Sequence, residues 1–311
     1  MASFNRRQFL STAVVASSVS VLPDFGFSRD VKKTFQVSCN QYSWITFYQR
    51  DGRDWFADLD ASLAEFASTG LTAYEPGLNN AEEAKKLLPL LEKHNLAMPS
   101  VYVNSVLHDV AEAEKSLQTI LSIAEIVQQA KTKIIVTNPS PIKWGGPENK
   151  SDEQLAEQAK NMDKLGAELK KRGMTLAYHT HDVELRAAAR EFHHMMLATN
   201  PKNVSLCLDV HWIYRGSGNS QIALFDVVKL YGKRIVELHL RQSKGGIWQE
   251  TFGEGDIDYQ RLRNSLQEAG VRPNLVLEQC LEKTSPKTMG SVEAHKQDLQ
   301  VVSKMFSDWL K

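Results

Sequence analysis

The chain contains eight short apolar runs, and each is followed by a polar loop and then by a segment with helical periodicity. Most of these runs are continuously apolar, as is typical of parallel strands buried on both faces. Repeated strand-helix units of this kind predict a single-domain α/β fold, the (β/α)8 or TIM barrel. An open, doubly wound sheet is the alternative, but no glycine-rich phosphate turn follows the first run.

The ends of the apolar runs and the helix-capping residues set the predicted boundaries. The predicted strands are 35–41, 71–75, 97–103, 133–137, 174–178, 204–208, 234–238 and 274–277. The predicted helices are 57–68, 81–94, 110–129, 151–172, 187–198, 220–231, 259–269 and 292–310. Ser151 and Gln154 have the spacing of a capping box, and Gly173 and Gly270 stand where helices should end.

The first thirty residues have a different character. Arg6 and Arg7 precede an apolar stretch of about a dozen residues, shorter than the roughly twenty needed to span a bilayer. This pattern is typical of a secretory signal, and the paired arginines favour twin-arginine export of the folded protein to the periplasm. We therefore assign residues 1–30 to the signal, with the twin-arginine export machinery as a partner, and residues 31–311 to the barrel. Membrane retention by an uncleaved signal is the alternative.

Composition restricts the partners of the protein. Lys and Arg together number 37, as do Asp and Glu, so no overall basic field exists and nucleic acid is disfavoured. Cys39, Cys207 and Cys280 lie in or beside predicted strands, and their odd count argues against a disulfide framework. We interpret them as buried thiols, with one bridge or a soft metal ligand as the alternative.

Side chains that bind metals follow four of the apolar runs. They are His179 and His181, Asp209 and His211, His239, and Glu278. The carboxyl ends of parallel strands meet at one mouth of a barrel, so these side chains are expected to gather there. Alternation along a strand would put His179 with His181, and Asp209 with His211, on one face. Imidazoles and carboxylates together predict a divalent-metal centre.

Five tracts in this order resemble a known family over nearly all of the predicted barrel. They are 178–184, 208–212, 236–240, 253–258 and 276–278. Together they are similar to the sugar phosphate isomerase/epimerase superfamily, the xylose-isomerase-like TIM barrels. The resemblance implies one divalent ion, which is manganese, zinc, magnesium or cobalt, held at the ends of strands five to eight. Matched by position, its ligands would be His179, Asp209, His239 and Glu278.

One departure from the family affects the expected mechanism. Many epimerases of this group have a glutamate where this chain has His179, and that glutamate pairs with the strand-eight glutamate to move a proton. The acid/base candidates here are Glu278, His181, His211 and Glu184. A metal ion that polarises a carbonyl would let such groups form an enediolate from a sugar.

Other side chains are candidates for binding a small carbohydrate. Tryptophans in the predicted mouth loops could stack on sugar C–H faces; they are Trp44, Trp144, Trp212 and Trp248. Arg241 and Lys244 could bind hydroxyls or a phosphate, with solvated surface charge as the alternative. Glu75 ends the second predicted strand and is expected to bind substrate or to support a ligand. Glu237 shares a strand face with His239 and Arg241, which predicts an ion pair inside the barrel.

The sequence leaves four functions open. The leading hypothesis is a divalent-metal-dependent isomerase or epimerase that acts on a sugar or keto-sugar. A lyase or hydratase that cleaves 3-keto-glycosides would use the same site. A phosphodiester-cleaving enzyme would need further histidines at strands three and four, where Asn104 and Asn138 stand instead. A non-catalytic sugar-binding protein is the fourth interpretation.

Overall fold

Eight parallel strands form the inner wall of the molecule in a computed structural model that describes residues 36–310. In chain order the strands are β1 (Val37–Asn40), β2 (Ala73–Glu75), β3 (Ser100–Tyr102), β4 (Ile134–Thr137), β5 (Thr175–Tyr178), β6 (Val204–Asp209), β7 (Ile235–Leu240), β8 (Ser243–Lys244), β9 (Ile247–Trp248) and β10 (Asn274–Leu277). Of these, β8 and β9 form a separate antiparallel hairpin, and the other eight belong to the barrel.

The order of the strands is that of a nearly closed barrel. Hydrogen bonds join them as β2-β1-β10-β7-β6-β5-β4-β3. Between the two outer strands, the Tyr74 amide donates to the Ala97 carbonyl at 2.9 Å and the Tyr102 amide donates to the Pro76 carbonyl at 2.8 Å. These bonds bring β2 against β3, so the predicted single-domain TIM barrel is confirmed.

Ten α-helices are described in residues 36–310. They are α1 (Gln41–Arg50), α2 (Leu59–Ser68), α3 (Ala81–Lys93), α4 (Val110–Val127), α5 (Asp152–Lys171), α6 (Arg186–Ala198), α7 (Val210–Gly216), α8 (Gln221–Tyr231), α9 (Tyr259–Glu268) and α10 (Ser291–Met305). The predicted capping box of α5 is present, with the Ser151 hydroxyl accepting from the Gln154 amide. Gly173 and Gly270 have φ of 70° and 74°, as expected after a helix end.

Two helices were not predicted, because both start at residues that looked like strand ends. The Asn40 side chain accepts a hydrogen bond from the Tyr42 amide and so starts α1 directly after β1. The Asp209 side chain does the same for the Trp212 amide and starts α7. The predicted last helix is also too long, since α10 ends at Met305 and a 3-10 turn follows.

Trp44 lies in the hydrophobic core and not in a mouth loop, which corrects the sequence-based expectation. Its side chain is fully buried on α1, with ring centroids of Trp55 and Phe66 each at 5.4 Å. The His295 ring stacks on it at 4.6 Å. The three cysteines are buried and unbridged, as predicted.

The predicted signal segment lies outside the described residues. Within residues 36–310, no helix has both the length and the apolar character needed to cross a bilayer.

Candidate metal centre

Four candidate ligands meet at the carboxyl ends of four neighbouring strands. His179 follows β5, Asp209 ends β6, His239 lies in β7 and Glu278 follows β10. One donor atom from each lies within 4.8 Å of the donor atoms of the other three. His179 Nε2 is 3.4 Å from Asp209 Oδ2, and His239 Nδ1 is 3.3 Å from Glu278 Oε2. The structure thus brings together the four residues that the sequence analysis grouped.

The donor atoms of this cluster fit a divalent cation. His179 Nε2, Asp209 Oδ2 and His239 Nδ1 are buried and have no hydrogen-bond partner among the described residues. Each such atom would cost about 1–3 kcal/mol if it stayed unsatisfied. Two carboxylates balance a 2+ charge, and a mixed imidazole and carboxylate set suits first-row divalent ions. The cluster can therefore hold one metal ion, and binding itself stays a prediction.

A buried carboxylate pair supports the far side of the His239 ring. His239 Nε2 lies 3.1 Å from Glu75 Oε2 and 3.6 Å from Glu237 Oε1. Burial raises the pKa of Glu75, but His239 outweighs it and lowers that pKa to about 2. Burial and the adjacent Glu75 raise the pKa of Glu237 to about 7. A carboxylate behind a metal-binding histidine fixes its ring orientation, so Glu75 is placed to support His239.

Arg241 is held against Glu278. Its Nη2 lies 2.6 Å from Glu278 Oε2 and its Nε donates to the Glu278 carbonyl at 2.9 Å. The guanidinium carbon lies 4.2 Å from the centre of the Trp248 ring. Burial raises the pKa of Glu278, but Arg241 and His239 lower it to about 2. Arg241 is thus the main counter-charge of Glu278, while the ion pair predicted for Glu237 is made with His239.

Glu184 fixes the loop that carries the two histidines after β5. Its Oε2 accepts from the His181 amide at 2.7 Å, and its Oε1 accepts from Asn138 Nδ2 at 2.9 Å. The same Asn138 nitrogen donates to the His179 carbonyl at 3.0 Å. Both carboxylate oxygens of Glu184 are therefore engaged in holding His179 and His181. Burial, and then Glu191, raises its pKa to about 7.

His181 and His211 both lie outside the strands from which their positions were predicted. His181 lies beyond the end of β5, yet its ring centroid is 5.0 Å from that of His179. His211 lies in α7, where both ring nitrogens are buried without a hydrogen-bond partner. Burial, and then Arg241, lowers the pKa of His211 to about 3. His179 and His181 do lie together, as predicted, but strand alternation is not the reason, because β5 ends at Tyr178. Alternation does not apply to Asp209 and His211 either, because β6 ends at Asp209 and His211 lies in α7.

A cavity of about 290 Å³ opens beside the cluster. The residues that line it are Asn40, Gln41, Tyr42, Gly77, Leu78, Asn79, Tyr102, Asn104, Trp144, His181 and Glu278. Among the acid/base candidates, His181 and Glu278 line this cavity. His211 and Glu184 do not. The ring of Trp144 meets His181 edge-on at 5.1 Å, and Trp212 lies 5.4 Å from His181 on another side.

Several predicted substrate-binding residues lie outside this lining. Glu75 and Arg241 are buried behind His239 and Glu278, and Lys244 is exposed on the β8–β9 hairpin. Four residues of the lining were not predicted as site residues from the sequence: Asn40, Tyr42, Tyr102 and Asn104. The Tyr102 hydroxyl lies 3.5 Å from His179 Nδ1, so it reaches the metal cluster. A signal was present, because all four residues lie at or just after the ends of the first and third predicted strands.

Enzymes with a TIM-barrel fold carry their active sites at the carboxyl ends of the strands. The polar side chains of this barrel gather at the same end. Residues 63–304, more than half of the chain, match the family described as the xylose isomerase-like TIM barrel. The chain therefore belongs to this family.

One curated relative is the inosose dehydratase of Clostridium perfringens, which is 23% identical over 249 residues. The match covers 71% of this chain and 82% of that protein. A solved sugar phosphate isomerase/epimerase from Parabacteroides distasonis has a TM-score of 0.67 at 16% identity, covering 93% of this chain and 100% of its own.

Two further solved structures share the fold. A xylose isomerase-like TIM barrel protein from Mycobacterium smegmatis in complex with magnesium has a TM-score of 0.67 at 11% identity, covering 89% of this chain and 98% of its own. The 3-keto-D-glucoside 4-epimerase from E. coli has a TM-score of 0.61 at 12% identity, covering 87% and 100%. The family match and the curated dehydratase relative confirm the prediction that the protein is an enzyme.

Proposed function

We propose that the protein is a divalent-metal-dependent isomerase or epimerase that acts on a sugar or keto-sugar. The observation that carries this proposal is the convergence of buried, unpartnered donor atoms from His179, Asp209 and His239 with Glu278. The magnesium complex of the relative from Mycobacterium smegmatis supports a metal in this family. The epimerase named for 3-keto-D-glucoside supports a carbohydrate as the small-molecule partner.

A bound divalent ion would polarise the carbonyl of a keto-sugar and make the neighbouring C–H group acidic enough to lose a proton near neutral pH. The chain must supply the groups that move this proton. We assign this task to Glu278 and His181, and their position in the lining of the cavity beside the cluster supports the assignment. Arg241 keeps the Glu278 carboxylate oriented, and Glu184 fixes the backbone of His181.

Isomerisation and epimerisation both need a proton to be removed from carbon and returned. In the proposed assignment, the Glu278 carboxylate takes the proton from the carbon next to the carbonyl. His181 exchanges a second proton with a substrate oxygen or with the opposite face of that carbon. Two chemically different groups, a carboxylate and an imidazole, thus take the place of a pair of glutamates.

A lyase is the second candidate, and the curated dehydratase relative favours it. In an elimination, one group removes the C–H proton and a second donates a proton to the leaving oxygen, which departs as water or as an alcohol. A carboxylate and an imidazole suit these unequal roles better than two equivalent carboxylates do. The presence of His179 where many epimerases have a glutamate points the same way.

Hydrogen exchange with solvent would test the proton transfer before the product is known. The metal-loaded protein is incubated in D2O with a panel of keto-sugars, and deuterium at carbon is followed by NMR. The proposal predicts exchange that falls at least about 100-fold in Glu278→Gln, as is usual for the loss of an acid/base group. The control is Asp298→Asn, a change at a buried carboxylate outside the cluster. Equal exchange in both variants would contradict the role of Glu278.

For location, we propose export to the periplasm by the twin-arginine route. The basis is the Arg6-Arg7 pair before an apolar stretch in the sequence. That route carries folded proteins, so a metal bound in the cytoplasm would remain with the barrel. Cell fractionation of the parent and of a variant with both arginines changed to lysine tests this. The variant should stay in the cytoplasm, and unchanged export would contradict the proposal.

A further inference from the structure

The cavity beside the metal cluster has an inner and an outer part. Glu278 and His181 form the inner wall, next to the four candidate ligands. Tyr42 and Trp144 line the same cavity but leave 51% and 54% of their surface exposed, which is high for such large rings. The cavity therefore continues from the reacting groups to two aromatic side chains that face solvent.

The outer part also offers polar groups that have no hydrogen-bond partner in the described part of the chain. Within residues 36–310, the Asn104 side-chain amide and the Tyr42 hydroxyl make no hydrogen bond, although both residues line the cavity. By contrast, the side-chain amides of three other lining residues are hydrogen-bonded within the protein; they are Asn40, Gln41 and Asn79. Free amide and hydroxyl groups beside exposed aromatic rings are the chemistry that recognises a sugar ring, which has polar edges and apolar C–H faces.

The described lining of the cavity offers no cationic side chain to an anionic ligand. Among the described lining residues none is a lysine or arginine, and Glu278 is a carboxylate. The nearby Arg241 guanidinium is committed to Glu278, and Lys150 is buried against Glu191. A phosphate in the outer part of the cavity would thus lose part of its hydration without gaining a cationic side chain.

We propose that the outer part of the cavity is a subsite for an uncharged second sugar ring, which stacks on Trp144 and Tyr42 and bonds to Asn104. The substrate class is then an unphosphorylated keto-glycoside, not a single free sugar or a sugar phosphate. This inference rests on the proposed function, because the inner part of the cavity must hold the keto-sugar ring.

Calorimetric titration of the metal-loaded protein with three ketoses tests the subsite. The ligands are D-fructose, the two-ring ketose lactulose, and D-fructose 6-phosphate. We expect lactulose to bind at least about 10-fold more tightly than D-fructose, as one stacked ring allows. The phosphate ester should bind more weakly than D-fructose. Trp144→Ala should remove most of the preference for lactulose over D-fructose.

Phe56→Ala is the matched control, since Phe56 is an equally exposed aromatic side chain outside the cavity lining. The subsite is overturned if lactulose binds no better than D-fructose or not at all, if the phosphate ester binds best, or if Trp144→Ala weakens both neutral ligands equally. A parent protein that binds no metal would instead contradict the proposed function. Metal content is measured on the same sample, so the two failures are distinguishable.

Discussion

The carboxylate of Glu75 lies 3.1 Å from Nε2 of His239, on the side of the ring opposite the metal cluster. Glu75 is itself fixed by Asn40 Nδ2 at 2.6 Å and by the Ser100 hydroxyl at 2.9 Å. Residues from three strands, β1, β2 and β3, thus orient a candidate ligand that belongs to β7. The base of the site is built across the barrel and not within one strand-helix unit.

Removing this support should weaken metal binding although no ligand is lost. For Glu75→Ala we expect a 10–100-fold weaker metal affinity, the usual effect of losing a carboxylate behind a ligating histidine. Competition with a chromogenic chelator measures it. Glu75→Gln keeps a hydrogen-bond acceptor and should lose less metal affinity, and Asp298→Asn should lose none. An unchanged affinity in Glu75→Ala, with the fold intact by circular dichroism, would show that Glu75 does not orient His239.

Loss of Arg241 should destabilise the metal-free protein. Arg241→Met leaves the buried Glu278 carboxylate without its main counter-charge. Breaking a buried pair in this way typically lowers the free energy of unfolding by about 3–5 kcal/mol. Urea unfolding in the presence of EDTA measures it. Lys164→Met, which breaks the exposed pair with Glu114, should change stability much less. If Arg241→Met lowers the free energy of unfolding no more than this control does, the assigned role of Arg241 is wrong.

Glu184 and His181 should act as one unit. Glu184 lies outside the cavity lining and accepts from the His181 amide, so Glu184→Ala should slow deuterium exchange by misplacing that imidazole. The double variant Glu184→Ala/His181→Ala should then be no slower than His181→Ala alone, because coupled residues are not additive. If the two losses multiply, Glu184 has an acid/base role of its own, as the sequence analysis considered.

His295 should make stability depend on pH in the acid range. Burial lowers its pKa from 6.5 to about 4, so the unfolded chain binds a proton first as the pH falls. The contribution of His295 to the free energy of unfolding is therefore fully present above pH 6.5 and is lost as the pH falls towards 4. At pH 5 the loss from this group is about 2 kcal/mol.

His295→Phe keeps an aromatic ring beside Trp44 and removes the titrating group. Unfolding free energies at pH 7 and pH 5 should differ by about 2 kcal/mol less in this variant than in the parent. Parallel pH profiles for the two proteins would show that His295 is protonated to the same extent in the folded and unfolded chains.

Local patterns were enough to predict the barrel and to select the residues that form the cluster. The last barrel strand, Asn274–Leu277, has the predicted bounds, because a short apolar run between polar segments specifies it. Asp209, His239 and Glu278 were grouped because parallel strands all end at the same mouth. The argument needed only strand ends and residue types, and both can be seen in a sequence.

What could not be predicted depends on contacts between distant residues. A capping hydrogen bond can end a strand and start a helix. The side chains of Asn40 and Asp209 both make such a bond. The position of Trp44 follows from the cap at Asn40, because the helix that starts directly after β1 places Trp44 in the core. The support of His239 by Glu75 joins strands 164 positions apart, a pairing that no local pattern encodes.

The metal content of the purified barrel tests the central claim most directly. Elemental analysis of the parent should give close to one divalent ion per chain, and Asp209→Ala and His179→Ala should each lose most of it. His193→Ala changes a histidine on α6 outside the cluster and should keep the metal. A folded parent without metal would contradict the proposed site, and equal metal in the parent and both ligand variants would contradict the ligand assignment.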